Sequence, residues 1–187
     1  MSIEEVYPFA EAFEGLKAPY GVYGVLGNHD FYTRDVNTVV KEVNGCGIKL
    51  LRNENVTIQK NGSYFHLVGV DDIGTHDQAD MAMTYALRGI NDQVPKILMC
   101  HRPYFFDVAE SKGIALTLSG HTHGGQIVFF KMGSTIIAPA RIASPYVSGL
   151  YTINESNMYV NRGLGTVGIP VRLNCPPEIT KITLRAV

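Results

Sequence analysis

Three short apolar segments of this chain each run into a turn that carries histidine. The segments 20–26, 96–99 and 114–119 are followed by the turns Gly27-Asn28-His29-Asp30, Cys100-His101-Arg102-Pro103 and Gly120-His121-Thr122-His123-Gly124-Gly125-Gln126. Short apolar runs that end at glycine or proline are typical of buried strands. Because sites in α/β sheets form just beyond the carboxyl ends of strands, the three turns are expected to meet. The pattern therefore predicts an α/β sheet with a histidine-rich site at one edge.

The third turn places two histidines, His121 and His123, at positions i and i+2 between glycines. On a straight strand they would point to opposite faces, but a tight loop can aim both imidazoles into one crevice. Taken alone, the pair is also compatible with a glycine turn that carries surface histidines. Together with His29, His101 and Asn28 in the other turns, however, four histidines and an asparagine form a set that suits zinc, iron or manganese.

The order of these motifs identifies a family resemblance. G-N-H-D, then a histidine after an apolar strand, then G-H-T-H, resembles the calcineurin-like metallophosphoesterase superfamily. The G-H-T-H-G-G-Q extension is similar to its YkuE/YaeI-like bacterial branch, as are Asn161-Arg162-Gly163-Leu164-Gly165 and Pro176-Pro177-Glu178-Ile179. The resemblance runs from about Ala18 to Leu184 and implies a four-layer α/β/β/α sandwich. It also implies an enzyme that hydrolyses phosphodiester, phosphomonoester or pyrophosphate bonds with a hydroxide activated by two metal ions.

The resemblance assigns a role to each residue of the predicted site. Asn28, His101 and His121 would bind the second metal, and His123 the first. His29 would not be a ligand but would act as general acid or as a positive clamp on the phosphoryl group.

Three further side chains have less specific roles. Arg102 is the predicted substrate-binding cation, with a plain ion pair as an open alternative. Asp30 is expected to cap its turn, and Asp72 to lie near the site without a catalytic role. Gln126 is expected to shape the loop.

Two motifs of the family pattern, D-x-H and G-D-x-x-D, do not occur upstream of Gly27, where Met1 to Lys17 is predicted to be helical. We therefore expect residues 1–187 to be a single metallophosphoesterase domain in its C-terminal portion, a sandwich incomplete at its N-terminal side. Of two family metals (Mn, Zn or Fe), the second would keep three ligands and the first only His123. Since neutral ligands compensate dications poorly, we expect at most one ion and weak or no hydrolysis. The alternatives are a non-catalytic metal- or phosphate-binding module and a structural fragment without an ion.

Composition limits the partners. The net charge is −1, so no general basic field indicates nucleic acid. The expected substrate is a phosphorylated small molecule or, as the branch suggests, a nucleotide–lipid. Loss of the first strands would expose a sheet edge, which predicts a homodimer, swapped or paired through that edge. Localisation stays open between the cytoplasm and the membrane periphery of a bacterium.

The remaining pattern predicts the other elements. Helices are predicted at 36–44, 79–89 and 105–112, strands at 48–51 and 55–59, and a hairpin at Asn61-Gly62. Short antiparallel strands are predicted over 127–187. His66 is predicted to be structural, and His76 and Asp77 to lie in a polar loop. Cys46, Cys100 and Cys175 are odd in number and lack C-x-x-C spacing, which favours reduced thiols.

Overall fold

The computed structural model describes residues 11–132 and 135–185. Its strands are β1 (Val22–Gly24), β2 (Ile48–Leu50), β3 (Glu54–Lys60), β4 (Ser63–Gly69), β5 (Lys96–Met99), β6 (Leu116–Ser119), β7 (Phe130–Met132), β8 (Thr135–Ile137), β9 (Gly149–Ile153) and β10 (Ser156–Val160). Its α-helices are α1 (Asn28–Tyr32), α2 (Val36–Gly45), α3 (His76–Ala86), α4 (Phe106–Ser111) and α5 (Ala140–Ala143), and short 3-10 helices lie at Pro103–Phe105 and His123–Gly125.

The central element is a six-stranded mixed sheet with the order β3-β4-β5-β6-β10-β9. Its inner pairs, from β4 to β10, are parallel, and the outer strands β3 and β9 pair antiparallel with their neighbours. Strand β1 pairs parallel with β2 in a separate two-stranded sheet, and β7 and β8 form an antiparallel hairpin. The predicted mixed α/β class is confirmed.

Both faces of the six-stranded sheet are covered. On one face, α3 and α4 pack on the sheet in the largest core cluster, whose most buried members include Val68, Met83, Leu98, Phe106 and Met158. On the other face, Leu67 and Ile97 pack with Leu51, which follows β2, and with Tyr23 of β1. The side chains that alternate with these, Val22, Ile48 and Leu50, face α2 in a further cluster. The two-stranded sheet therefore lies between the large sheet and α2.

The predicted hairpin, two of the predicted helices and two of the predicted strands are present in the structure. Asn61 and Gly62 have φ values of 50° and 83° between β3 and β4, which is the left-handed pair that a two-residue hairpin requires. The helix predicted at 36–44 is α2, the helix predicted at 105–112 is α4, and the strands predicted at 48–51 and 55–59 are β2 and β3. His66 is buried in β4 beside the hydroxyl of Thr57.

The helix predicted at 79–89 is displaced toward the N-terminus. It was predicted over 79–89 but spans His76–Ala86, so placing His76 and Asp77 in a loop was wrong. The reason is a reciprocal cap: the Thr75 hydroxyl accepts a hydrogen bond from the Gln78 amide, and the Gln78 side chain accepts one from the Gly74 amide. This cap starts the helix one turn before its apolar pattern becomes visible.

The antiparallel strands predicted over 127–187 form only in part. The β7–β8 and β9–β10 pairs are antiparallel, but β10 pairs parallel with β6, and 161–185 contains no named strand. Of the predicted N-terminal helix, residues 11–13 are helical and 1–10 lie outside the described residues. The three cysteines are reduced thiols and not disulfides, as predicted. Within 11–132 and 135–185, no helix is both long and apolar enough to cross a membrane.

Candidate metal centre

The predicted site lies where β5 and β6 end side by side and the turn after β1 meets them. The parallel register of β5 and β6 carries the two chains to the same sheet edge, where the Gly120 amide donates to the His101 carbonyl at 3.0 Å. Gly27 of the first turn lies against the imidazole of His101. Turns that are far apart in sequence are thus brought together, as the strand pattern predicts.

Three side chains converge at this point. The Asn28 side-chain oxygen lies 3.0 Å from His101 Nε2 and 3.1 Å from His121 Nδ1, and the two imidazole nitrogens are 3.1 Å apart. The three donor atoms therefore form a nearly equilateral triangle. Asn28 is buried, whereas His101 and His121 are half-buried and open toward a cavity of about 400 Å³.

The triangle fits a divalent metal ion in size and in chemistry. Ligands bonded at about 2.1 Å to one ion are separated by about 3.0 Å at neighbouring corners of an octahedron and by about 3.4 Å in a tetrahedron. Among the described residues, no three His, Cys, Asp or Glu side chains are grouped to hold a metal. The group that does form consists of two histidines and a carboxamide, so it offers three neutral donors and no charge.

Gly27 allows this convergence by having no side chain. A Cβ atom at this position would lie 2.8–2.9 Å from three atoms of the His101 ring. The backbone itself does not require glycine, since its φ of −107° and ψ of 175° are accessible to any residue. The requirement for glycine here is therefore the close approach of the imidazole.

The two clustered imidazoles are held in the neutral form. Burial lowers the pKa of His101 to about 3, and the nearby His121 and Arg102 act in the same direction. Burial also lowers the pKa of His121 to about 4, again with Arg102 contributing. Neutral imidazole keeps the lone pair that a metal ligand needs.

The remaining predicted histidines border the same cavity without joining the triangle. His29 is exposed at the cavity wall, and its ring packs edge-on against Tyr32. His123 also lines the cavity, and its Nδ1 lies 3.2 Å from the Gly165 carbonyl oxygen. Asp30 accepts a hydrogen bond from the Gly27 amide at 2.7 Å, which is the predicted capping role.

The G-H-T-H turn has a strained backbone. His121, His123 and Gln126 have φ values of 69°, 50° and 52°, a region of positive φ in which the Cβ atom crowds the backbone and costs about 1–2 kcal/mol per residue. The Gln126 amide group holds this turn in place, because it donates to the carbonyls of Val167 and Ile169 and accepts from the Val167 amide. Gln126 thus shapes the loop, as predicted.

Arg102 forms an ion pair beside the triangle. Its Nη2 lies 2.8 Å from Asp72 Oδ2, and both side chains are largely buried, with 21% and 10% of their surface exposed. The pair is monodentate, and Arg102 Nε and Asp72 Oδ1 have no partner among the described residues. Burial raises the pKa of Asp72, and Arg102 opposes that shift. Asp72 lies near the site, as expected.

Two contributors to the site were missed in the sequence. Tyr104 lines the cavity and packs edge-on against His121, with 5.5 Å between ring centroids. The available signal was its nearness to the motif, since it follows His101 by three residues and lies in the short 3-10 helix Pro103–Phe105. Arg172 bonds the backbone of His123 from 49 residues away, and no local pattern indicates it.

Comparison with known proteins identifies the family of this chain and agrees with its α/β fold. The family described as calcineurin-like phosphoesterase matches residues 4–125, which include the histidines of all three turns. The chain therefore belongs to the calcineurin-like phosphoesterase family, whose members are metallophosphoesterases and typically bind divalent metals.

Several curated proteins are similar over nearly the whole chain. A "Transmembrane protein with metallophosphoesterase domain" of Danio rerio is 34% identical over 186 residues, covering 94% of this chain and 41% of that protein. An uncharacterized metallophosphoesterase of Helicobacter pylori is 32% identical, covering 98% of this chain and 48% of that protein. The uncharacterized metallophosphoesterase YkuE of Bacillus subtilis is 32% identical, covering 91% of this chain and 58% of that protein. This chain thus spans less than three fifths of each of these relatives, and no solved structure matches it.

Proposed function

We propose that this chain carries the second-metal half of a metallophosphoesterase site and that the complete site hydrolyses phosphate esters. The observation that carries the proposal is the triangle of donor atoms from Asn28, His101 and His121, with edges of 3.0–3.1 Å. These residues hold one divalent ion, Mn, Zn or Fe, and His123 contributes to a second. When bound, the ions supply a hydroxide nucleophile and neutralise phosphoryl charge.

Two side chains of this chain act on the substrate in this proposal. His29, exposed at the cavity wall, donates a proton to the leaving-group oxygen or holds positive charge beside it. Arg102, which pairs with Asp72 and does not line the cavity, contributes positive charge toward the phosphoryl group from behind the triangle. The support is that its charge already acts on His101 and His121. The substrate is a phosphorylated small molecule or a nucleotide–lipid, and no specific nucleic acid is proposed.

We further propose that 1–187 is one domain and forms the C-terminal portion of a four-layer α/β/β/α sandwich. The support is the order of packing, in which α3 and α4, the six-stranded sheet, the β1–β2 sheet and α2 follow one another. In that arrangement, additional strands pair with the open edge of β1, which has no partner other than β2 among the described strands.

The charge of the site limits what this chain does alone. The described triangle is neutral, and the cavity carboxylate Asp30 is bonded to the Gly27 amide. A second dication would lack compensating ligand charge. The chain therefore binds one ion and hydrolyses phosphodiesters weakly, whereas a longer protein with D-x-H and G-D-x-x-D upstream would be the efficient enzyme.

A non-catalytic metal- or phosphate-binding module is the second candidate, and the neutral ligand set favours it. The test combines calorimetric titration with Mn²⁺ and Zn²⁺ and turnover of bis(p-nitrophenyl) phosphate. We expect one ion per chain, loss of binding in His101→Gln, and unchanged binding in the control His76→Gln, which alters a histidine of α3 outside the cavity lining.

Each outcome separates the alternatives. Weak turnover that His29→Asn removes without loss of metal supports the enzyme, and metal binding without turnover supports the module. Two tight sites with rapid turnover would contradict the one-ion proposal. No binding of either metal would contradict the enzyme and the metal-binding form of the module, and no binding of inorganic phosphate in the same calorimetric test would then leave a structural fragment.

A further inference from the structure

Arg172 binds backbone carbonyls from three segments around the His123 turn. Its Nη1 donates to the carbonyls of His123 at 3.1 Å and Cys175 at 3.2 Å. Its Nη2 donates to the carbonyls of Arg162 at 2.9 Å and Gly163 at 3.2 Å, and also to that of Gly165. One guanidinium thereby ties the segment 162–165 to the His123 turn.

This use of arginine differs from that of its neighbours in the fold. Arg52, Arg102 and Arg162 each pair with a carboxylate, whereas the contacts of Arg172 within the described part of the chain are to carbonyl oxygens and the Cys175 sulfur. A planar fork of donors suits several fixed acceptors at once, which a lysine ammonium does not match. Arg172 therefore holds backbone segments in place and does not pair with a carboxylate among the described residues.

Two of the bound carbonyls fix the ring tautomer and the backbone conformation of His123. Gly165 oxygen lies 3.2 Å from His123 Nδ1, and since a carbonyl only accepts, the hydrogen must be on Nδ1. The imidazole is then left with its lone pair on Nε2. The carbonyl of His123 itself is held by Arg172 and by the Cys175 thiol at 3.3 Å, which supports the left-handed backbone of this residue.

We propose that Arg172 is a positioning residue: by fixing the Gly165 carbonyl and the His123 backbone, it keeps His123 as the Nδ1–H tautomer with Nε2 free for a metal ion. The metal part rests on the proposed function, in which His123 is a ligand. Partners that orient a ligating histidine in this way set its tautomer and its basicity, and their loss typically weakens metal binding by about 10–100-fold.

The test reads the tautomer directly and needs no activity. Long-range ¹H–¹⁵N NMR of the whole labelled chain at about pH 8, where an ordinary imidazole is neutral, distinguishes Nδ1–H from Nε2–H. The His123 signals are assigned by their loss in His123→Gln. We expect Nδ1–H in the wild type and a mixture of tautomers in Arg172→Met. The matched control, Arg52→Met, removes a guanidinium paired with Asp71 instead and should leave His123 unchanged.

The wild-type spectrum alone can overturn the proposal, so it stays testable even where Arg172→Met does not fold. His123 as Nε2–H in the wild type would contradict it, as would an unchanged tautomer in a folded Arg172→Met or Arg172→Lys chain. Addition of Zn²⁺ beyond one equivalent then tests the metal part: a weak shift of the His123 Nε2 signal, after those of His101 and His121 have moved, supports it, and an unmoved His123 signal contradicts it. If Zn²⁺ moves none of the signals of Asn28, His101, His121 and His123, the proposed function fails, while a tautomer change in the variant still supports positioning by Arg172.

Discussion

The side-chain oxygen of Asn28 lies 3.0 Å from Nε2 of His101, although 73 residues separate them in the chain. The contact depends on Gly27, because a Cβ atom there would overlap the imidazole ring. The ligand triangle is therefore sensitive to a single methyl group outside the ligands themselves. A substitution at Gly27 therefore tests the site without changing any of the proposed ligands.

Gly27→Ala should weaken metal binding and leave the fold intact. The backbone of Gly27 is accessible to alanine, so the added methyl group acts on the His101 ring and not on the chain. We expect an affinity for Mn²⁺ about 10-fold lower, as for other changes that misorient a ligating histidine. Calorimetric titration measures it.

Gly45→Ala is the matched control for that substitution. A Cβ atom at Gly45 would meet nothing within 4 Å, and the residue ends helix α2. Alanine should therefore leave binding unchanged and raise the free energy of unfolding by up to about 1 kcal/mol. Equal affinities of the two variants would show that His101 is not held in the described position.

The pair formed by Arg102 and Asp72 should couple more strongly than the neighbouring pair of Arg52 and Asp71. Arg102 and Asp72 are 21% and 10% exposed, against 37% and 19% for the other pair. Removal of one partner from the less exposed pair leaves a charge with little access to water, so Asp72→Ala should lower the free energy of unfolding by about 2 kcal/mol. Urea unfolding of each double-mutant cycle measures the coupling.

For Arg52 and Asp71 we expect a coupling energy of less than about 1 kcal/mol, since water screens exposed pairs. Equal coupling in the two cycles would contradict the ranking by burial. A separate measurement tests the role of Arg102 toward the substrate. If inorganic phosphate inhibits diester turnover less in Arg102→Met than in wild type, and equally in Arg52→Met and wild type, the proposed action of Arg102 on the phosphoryl group is supported. Unchanged inhibition in both would leave Arg102 as an ion pair only.

The site was more predictable from sequence than the segment that supports it. Asn28, His101 and His121 each follow a short apolar strand, and strand ends at one sheet edge meet by geometry alone. The hairpin at Asn61-Gly62 was predictable for an equally local reason, since its two residues tolerate positive φ.

The contacts of Arg172 and Gln126 had no comparable signal. Both side chains bond backbone carbonyls of 161–185, a region in which hydrogen bonds from side chains replace strand pairing. Such bonds impose no hydrophobic period, and their partners lie up to 49 residues away. The start of α3 was missed for another reason, because the capping pair of Thr75 and Gln78 precedes the apolar pattern.

Stability should fall in acid as Glu178 becomes protonated. Burial acts to raise the pKa of this carboxyl, but hydrogen bonds from Thr180, Tyr159 and Arg162 outweigh it and lower the pKa from 4.5 to about 2. A depressed pKa means that the stabilising contribution is complete above the unfolded value of 4.5 and is lost as pH falls toward 2. It amounts to at most about 3 kcal/mol, since water partly screens the group.

Glu178→Gln tests that assignment. The difference in free energy of unfolding between wild type and variant should be constant from pH 7 to about 5 and should shrink between about pH 4.5 and pH 2. Denaturant titrations at a series of pH values measure it. Glu155→Gln, at the exposed turn between β9 and β10, is the control and should not reproduce this change. A difference that persists unchanged to pH 2 would mean that the carboxylate network does not form.

Self-association should proceed through the open edge of β1. The Gly24 carbonyl accepts from the Leu51 amide at 2.9 Å and so points toward the β2 side, which leaves the N–H and C=O of the alternate residue Tyr23 on the other side. None of the described strands pairs with that side. An open strand edge pairs readily with another chain, so we expect a light-scattering mass of two chains at micromolar concentration.

Tyr23→Pro removes the edge N–H and should shift the mass toward one chain. Thr152→Pro, which places the same ring in the outer strand β9 of the six-stranded sheet, controls for the general cost of proline in a strand. If both variants reduce the mass equally, association depends on stability and not on β1. A wild-type mass of one chain across the concentration range would contradict the pairing itself, because an unpaired Tyr23 edge would then be tolerated in water.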